Sequence, residues 1–181
     1  MKNHQKTQFT IYGINNTISI LESKRFTVSK IDIVRNGRAE KDDYLMHLVS
    51  KLSFQPKFYA KPGFFQKYPE GRTQGIAAVI DGRIVKNELP DYSEKESICL
   101  LALDQIEDPQ NFGQIIRTAE CAGIHGVIIP KHHSAPVTDS VLQVSQGAFV
   151  NVPLYEVTNL RNEFKQLKDN GFWIVGLENS I

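Results

Sequence analysis

The spacing of hydrophobic positions predicts two successive modules of different architecture. Over residues 8–80, helical and extended patterns are short and mixed. The patterns predict helices over 14–21 and 44–52, and strands over 9–12, 28–34, 58–60 and 76–80. We therefore expect a small α/β domain over residues 8–80.

Beyond residue 96, the pattern alternates between buried strands and amphipathic helices. It predicts strands over 98–103, 127–129, 152–155 and 172–175, and helices over 111–122, 140–146 and 160–168. Such alternation is typical of a parallel, doubly wound sheet, and the apolar run 98–103 is expected to be covered on both faces. Residues 81–96 contain Gly82, Pro90 and many charges without a period, which predicts a linker before a second domain over 97–181.

Charge is distributed unevenly between the two modules. The 181 residues carry a net charge of +1, but residues 1–80 contain 13 basic and 6 acidic side chains, whereas residues 81–181 contain 8 and 14. A basic first module is suited to binding a polyanion, although a solvated lysine-rich surface has the same composition.

Composition disfavours several classes of protein. No apolar run approaches the roughly 20 residues of a transmembrane helix, and no apolar stretch follows the first residues as in a secretory signal, so a cytoplasmic protein without a membrane partner is expected. Cys99 and Cys121 lie in a strand pattern and a helix pattern and are expected to be buried. His132 and His133 have no companion ligands, so a polar loop is expected there rather than a metal site.

The most specific stretch of the sequence is residues 103–119, LDQIEDPQNFGQIIRTA. It leaves the carboxyl end of a predicted strand, turns at Asp108-Pro109 and enters a helix, which is where open α/β sheets bind ligands. The predicted buried stripe of this helix consists of Phe112, Ile115, Ile116 and Ala119. Arg117 lies on the opposite side, where its guanidinium is suited to a phosphate, the alternative being a solvated surface arginine.

This stretch closely resembles the first signature motif of the SpoU (TrmH-like) branch of the SPOUT RNA methyltransferases, D-x-[IV]-x-D-P-x-N-x-G-x-I-[IL]-R-T-A. Other segments similar to the family lie at residues 11–15, 73–76, 134–138 and 144–148. The combination is most similar to the bacterial 23S rRNA guanosine 2′-O-methyltransferases. Thr73 departs from the pattern, since many relatives have histidine before Gln-Gly.

The resemblance implies a fold, a reaction and two catalytic residues. The fold would be a small N-terminal α/β RNA-binding domain followed by a Rossmann-like parallel sheet of the SPOUT type, in a homodimer. The reaction would transfer a methyl group from S-adenosylmethionine to a guanosine ribose 2′-oxygen of rRNA. Arg117 matches the arginine that the family uses at the reacting ribose, and Asn111 matches the asparagine at the helix start, where a plain helix cap is an equal alternative.

Two further motifs of the family are not matched. Gly176-Leu177-Glu178 is similar to the start of the family's G-x-E-x-x-G motif, but Ile181 stands at the second glycine, and no S-L-N-V-S segment follows. We therefore expect a sheet truncated before the C-terminal knot, no cofactor-binding residue in this chain, and no useful affinity of the chain alone for S-adenosylmethionine. The alternative function is that of a non-catalytic RNA-binding remnant. An oxidoreductase is disfavoured because no G-x-G-x-x-G follows residues 98–103.

The candidate RNA-binding surface is the segment 54–72, which is rich in basic and aromatic residues. Its cations, Lys57, Lys61, Lys67 and Arg72, are expected to contact RNA phosphates. The interleaved aromatic residues are suited to stacking on bases, but most of them are expected in the core of a small domain.

Overall fold

The computed structural model describes residues 7–69, 72–92 and 97–177, which form two four-stranded sheets. The first sheet has the order β1-β4-β2-β3. Its strands are β1 (Gln8–Tyr12), β2 (Thr27–Val34), β3 (Lys57–Tyr59) and β4 (Ile76–Asp81). β4 is antiparallel to both β1 and β2, and β3 is parallel to β2. All four confirm predicted strands.

Three helices accompany the first sheet: α1 (Ile14–Ser23), α2 (Asp43–Ser50) and α3 (Lys61–Lys67). The first two confirm predicted helices. The third was not predicted because Pro62 and Gly63 interrupt the helical pattern in the sequence. Proline is nevertheless favourable in a first helical turn, where its missing N–H would have no partner within the helix.

The second sheet is entirely parallel, in the order β5-β8-β7-β6. Its strands are β5 (Val85–Lys86), β6 (Leu100–Ala102), β7 (Gly126–Pro130) and β8 (Leu154–Val157). Its helices are α4 (Pro109–Cys121), α5 (Asp139–Val144) and α6 (Leu160–Asp169), with a 3-10 turn at Ala148–Val150. The predicted parallel α/β module is confirmed.

One strand of this sheet comes from the segment predicted as a linker. Val85 and Lys86 pair in parallel with Leu154 and Tyr155 and form β5. Two residues are too few to show a hydrophobic period, so the sequence pattern does not reveal this strand.

The strand predicted over 172–175 is wrong. Residues 172–177 form no helix or strand, and Trp173 and Leu177 are 94% and 98% exposed. A short apolar run satisfies the strand pattern locally, but a strand also needs a hydrogen-bonding neighbour, and residues 172–175 pair with no described strand.

β6 is shorter and more exposed than the apolar run 98–103 predicts. Its three residues are half-buried, and it lies at the edge of the sheet, paired only with β7 among the described residues. An edge strand keeps solvent access along its unpaired side, so the expectation of complete cover is wrong.

A shared hydrophobic core joins the two modules. Phe9 and Ile11 of β1 are buried in the same cluster as Phe112 of α4 and Val141 of α5. The Tyr12 N–H of the first module donates a hydrogen bond to Gln143 Oε1 of the second, at 3.0 Å. The two modules therefore pack directly against each other, with α5 beside β1 and the 3-10 turn beside α1.

Candidate nucleic-acid interface

The start of α4 is fixed by its own sequence. The Asp108 carboxylate accepts a hydrogen bond from the Gln110 N–H at 3.0 Å, and Pro109 occupies the first turn. Asn111 lies further into the helix and is exposed. The alternative of Asn111 as the helix cap is therefore wrong, since Asp108 has that role.

The buried face of α4 consists of Phe112, Gly113, Ile116 and Ala119. This confirms three of the four predicted stripe residues, and Ile115 is half-buried. Gly113 was not predicted because it has no side chain to bury. A Cβ atom at Gly113 would lie 2.6 Å from Val144 Cβ and 2.8 Å from the Val141 carbonyl oxygen, so this glycine permits the close approach of α4 to α5.

The exposed face of α4 forms one wall of a cleft of about 830 Å³ between the two modules. Arg117 projects from this face, as predicted, and meets Arg72 of the first module in the lining of the cleft. The other polar residues of the lining are Tyr12, Asn15, Asn16, Gln74, Gln110, Gln114, Thr118, Cys121, Gln143 and Gln146. None of the described residues in the lining is acidic.

The opposite wall of the cleft is built by side-chain amides that bond to the backbone. Gln74 Oε1 accepts from the Ile14 N–H at 2.8 Å, so Gln74 satisfies a free donor at the start of α1. Asn16 is only 4% exposed; its Nδ2 donates to the Tyr12 carbonyl at 2.8 Å, while its Oδ1 has no partner among the described residues. The wall is therefore fixed by hydrogen bonds and keeps spare acceptor capacity.

The composition of the cleft suits a ligand that is both anionic and rich in hydrogen-bonding groups. Two guanidinium groups favour phosphate, for which their planar donors are well matched. The surrounding amides can both donate and accept hydrogen bonds, as the edges of nucleobases require. We infer that a nucleotide fits this chemistry.

The predicted site residues do not all meet in the cleft. Arg72 and Arg117 do, whereas Asn111 is absent from the lining. Lys57 and Lys61 are exposed on the first module, outside the cleft. The amide residues Gln74 and Gln143 were missed as site residues, although both lie in or next to the family-like segments 73–76 and 144–148.

Lys67 is engaged in a buried ion pair, which changes its predicted role. Its ammonium lies 2.6 Å from Asp32 Oδ2, and the Asp32 side chain is completely buried. The Tyr68 hydroxyl donates to the same oxygen at 2.7 Å, and Lys30 Nζ lies 3.2 Å from it. The Lys67 ammonium therefore compensates a buried charge, which limits its availability for RNA phosphates.

The same network shifts the ionisation of its members. Burial raises the pKa of Asp32, but the hydrogen bonds from Lys67, Tyr68 and Lys30 outweigh burial and leave this pKa below its ordinary value. Burial, together with the hydrogen bond to Asp32, raises the pKa of Tyr68. The carboxylate is thus held ionised by its donors.

The aromatic residues of segment 54–72 divide between core and surface. Phe64 and Tyr68 are buried, as most of the aromatic residues of this segment were expected to be, whereas Phe65 is 40% exposed.

The expectation that Cys99 and Cys121 are buried is wrong. Both thiols are exposed, and Cys121 lies on the cleft side of α4, where the helix period places it beside Arg117.

The two adjacent histidines lie in an exposed loop of the described structure, without other metal ligands around them. His132 and His133 are exposed in the loop after β7, and the described residues contain no cluster of three or more potential metal ligands. No helix in the described part of the chain is long and apolar enough to cross a membrane.

Sequence comparison places the motif-bearing module in a family. The fold and the cleft, whose described lining contains two arginines and no acidic residue, define an α/β protein with a candidate anion-binding site. Residues 99–180 match the SpoU rRNA Methylase family, which confirms the predicted resemblance.

Two curated relatives are similar over longer stretches. A Staphylococcus aureus protein named as a TrmH family tRNA/rRNA methyltransferase is 45% identical over 109 residues, which is 58% of this chain and 44% of that protein. A Staphylococcus epidermidis protein of the same name is 36% identical over 152 residues, which is 81% of this chain and 55% of the relative. The chain spans about half the length of the curated relatives it matches.

Solved structures show the same fold. The SpoU methyltransferase AviRb from Streptomyces viridochromogenes, in complex with AdoMet, matches 90% of this chain and 59% of its own length with a TM-score of 0.70 at 20% identity. An RNA 2′-O ribose methyltransferase matches 91% of this chain and 60% of its own length with a TM-score of 0.69 at 15% identity. The predicted SPOUT-type fold is confirmed over the described residues.

Proposed function

We propose that this chain contains the RNA-binding and catalytic-arginine part of a SpoU-type RNA 2′-O-methyltransferase that acts on a guanosine of rRNA. The observation that carries this proposal is the meeting of Arg117, from the family motif, with Arg72, from the basic module, in one cleft without a described acidic residue. The domain boundaries 8–80 and 97–181 and the homodimer belong to the same proposal, whereas residues 85–86 of the predicted linker 81–96 belong to the second sheet.

Arg117 acts in this proposal by positioning phosphate rather than by removing a proton. A guanidinium has a pKa above about 12 and stays charged, so it is a poor general base. Its donors instead fix the phosphate next to the reacting ribose and align the 2′-oxygen with the methyl donor. Asn111 is exposed in the first turn of the same helix, next to Gln110 but outside the cleft lining, and is proposed to orient the target nucleotide from there.

The methyl donor in this proposal is S-adenosylmethionine, as in the AviRb complex. The cleft itself is a poor match for that molecule, because its described lining offers no carboxylate to the sulfonium and ammonium groups. The cleft is therefore assigned to RNA, and no residue of this chain is assigned to the methyl donor. When bound, the donor supplies the activated methyl group.

Deletion of the gene and mapping of ribose methylation in rRNA test the proposal. We expect one 2′-O-methylguanosine to disappear on deletion and to return with the wild-type gene. The gene carrying Arg117→Ala should restore about 1% or less of the methylation, since misplacement of a reacting group costs about 100-fold. Arg161→Ala, an exposed arginine of α6, should restore it fully.

One outcome contradicts the methyltransferase activity, and a second contradicts the phosphate-positioning role of Arg117. Unchanged rRNA methylation after deletion, combined with RNA binding by the purified chain, would support the non-catalytic RNA-binding alternative. A fall of the melting temperature in Arg117→Ala by more than about 2 °C would show that the arginine supports the fold, which its exposure does not predict.

A further inference from the structure

A second pocket, of about 420 Å³, adjoins the cleft on the first module and shares Arg72 and Gln74 with it. We call it the cationic pocket, since its lining contains Arg35, Arg38, Lys61 and Arg72. All four side chains are exposed, and none of the described lining residues is acidic. Four cations around one concave surface concentrate positive potential there.

The backbone of the cationic pocket is tightly fixed. The Val34 N–H donates to the Gly75 carbonyl, and the Arg35 N–H donates to the Tyr59 carbonyl, both at 2.8 Å. A Cβ atom at Gly37 would lie 2.8 Å from the Val34 carbonyl oxygen. Because these neighbours hold the turn after β2, Arg35 and Arg38 extend from a defined base.

An exposed aromatic ring completes the cationic pocket. Phe65 lines it and is 40% exposed. Its ring packs edge-on against the fully buried Phe64, with ring centroids 5.5 Å apart and an angle of 81° between the planes. The ring is thus supported by the core while part of its surface is free to stack on a nucleobase.

We propose that the cationic pocket binds an unpaired nucleotide adjacent to the one in the cleft, with its phosphates on Arg35 and Arg38 and its base on Phe65. This inference rests on the proposed function and specifies the form of its RNA substrate as locally single-stranded. Arg72, which lines both the pocket and the cleft, contacts the phosphate that links the two nucleotides. A duplex would present its phosphates but keep its bases stacked away from Phe65.

Binding of a fluorescent single-stranded oligoribonucleotide to the full chain, measured by anisotropy at several salt concentrations, tests the proposal. Arg35→Gln/Arg38→Gln should lower affinity about tenfold at 0.1 M salt and reduce the slope of log K against log salt by about 1.4, or about 0.7 per lost phosphate contact. Phe65→Leu keeps apolar bulk on Phe64 and should lower affinity about fivefold with an unchanged slope.

The matched control is Lys51→Gln/Lys165→Gln, which removes two exposed charges outside both pockets. An equal loss in the control would show a general charge effect and overturn the proposal, as would wild-type affinity of Phe65→Leu or of the double arginine variant. If the wild-type chain binds no RNA at all, the proposed function fails as well. If it binds and the pocket variants bind equally, only the pocket assignment fails.

Discussion

At the scale of single residues, Asp32 is a completely buried carboxylate whose charge must be compensated inside the first module. Its carboxylate is buried without solvent access, and three donors converge on Oδ2, while Oδ1 has no partner. Leaving such a group without its donors would cost several kcal/mol, so the network of Lys67 and Tyr68 is a condition of the fold of the first module.

The lowered pKa of Asp32 predicts a pH-dependent stability. A carboxylate that ionises more readily in the folded state stabilises the fold above its unfolded pKa of 3.8, and this contribution is lost as the pH falls through the lower folded pKa. Asp32→Asn should therefore be less stable than wild type at pH 7, by roughly 1–3 kcal/mol. Urea unfolding from pH 7 to pH 2.5 should show that this difference narrows below about pH 4.

A double-mutant cycle provides the control for Asp32. In the background of Lys67→Met, Asp32→Asn should produce a smaller difference at pH 7, because a main donor to the carboxylate has been removed. A difference between wild type and Asp32→Asn that stays constant from pH 7 to pH 2.5 would contradict the assignment.

At the scale of elements, the approach of α4 to α5 determines where Arg117 lies. Gly113 is the contact point, so the exposed face of α4 is oriented toward the cleft by packing on its opposite face. A helix rotated or displaced by a side chain at this point would move Arg117 relative to Arg72. Packing in the core thus sets the geometry of the surface site.

Two glycine-to-alanine substitutions distinguish the effect of close packing on stability from the effect of helix propensity. Gly113→Ala should destabilise the fold by about 1–3 kcal/mol, because its Cβ would meet Val144 and the Val141 carbonyl under 3 Å. Gly63→Ala, in α3, has no atom within 4 Å of the added Cβ and should be neutral or stabilising by up to about 1 kcal/mol. Urea unfolding measures both, and a stabilised Gly113→Ala would refute the close packing.

At the scale of the whole molecule, Gly147 of the second module lies in close contact with α1 of the first. Gly147 has φ +96°, and a Cβ there would lie 2.7 Å from Ser19 Oγ of α1. Nearby, the Arg25 guanidinium donates to the Val150 carbonyl. Since the two modules also share one hydrophobic cluster, we expect them to unfold together.

Gly147→Ala tests the coupling of the modules. The substitution adds both backbone strain and a clash, so we expect a loss of at least about 1 kcal/mol. Hydrogen exchange followed by mass spectrometry should show β4 and β7 losing protection to a similar degree. Loss of protection in one sheet alone would show that the modules are energetically independent.

Most of the helices and strands, and the polar face of α4, can be predicted from the sequence. Apolar periodicity is local, and it sufficed for seven of the eight strands, for five of the six helices and for the exposure of Arg117 among the described residues. Local chemistry likewise determines the start of α4, where Asp108 and Pro109 act within one turn.

Long-range packing, which the local pattern does not show, determines which residues share a site and which have a structural role in the fold. Arg72 and Arg117 are 45 positions apart in sequence, and only the packing of β1 on α5 and of α1 on the 3-10 turn brings them to one cleft. In the sequence, Lys67 cannot be distinguished from the other lysines of segment 54–72, but its ammonium donates a hydrogen bond to the buried Asp32, 35 positions away. Strand partners are equally non-local, so the local apolar pattern does not show that residues 85–86 pair with β8 or that residues 172–175 pair with no described strand.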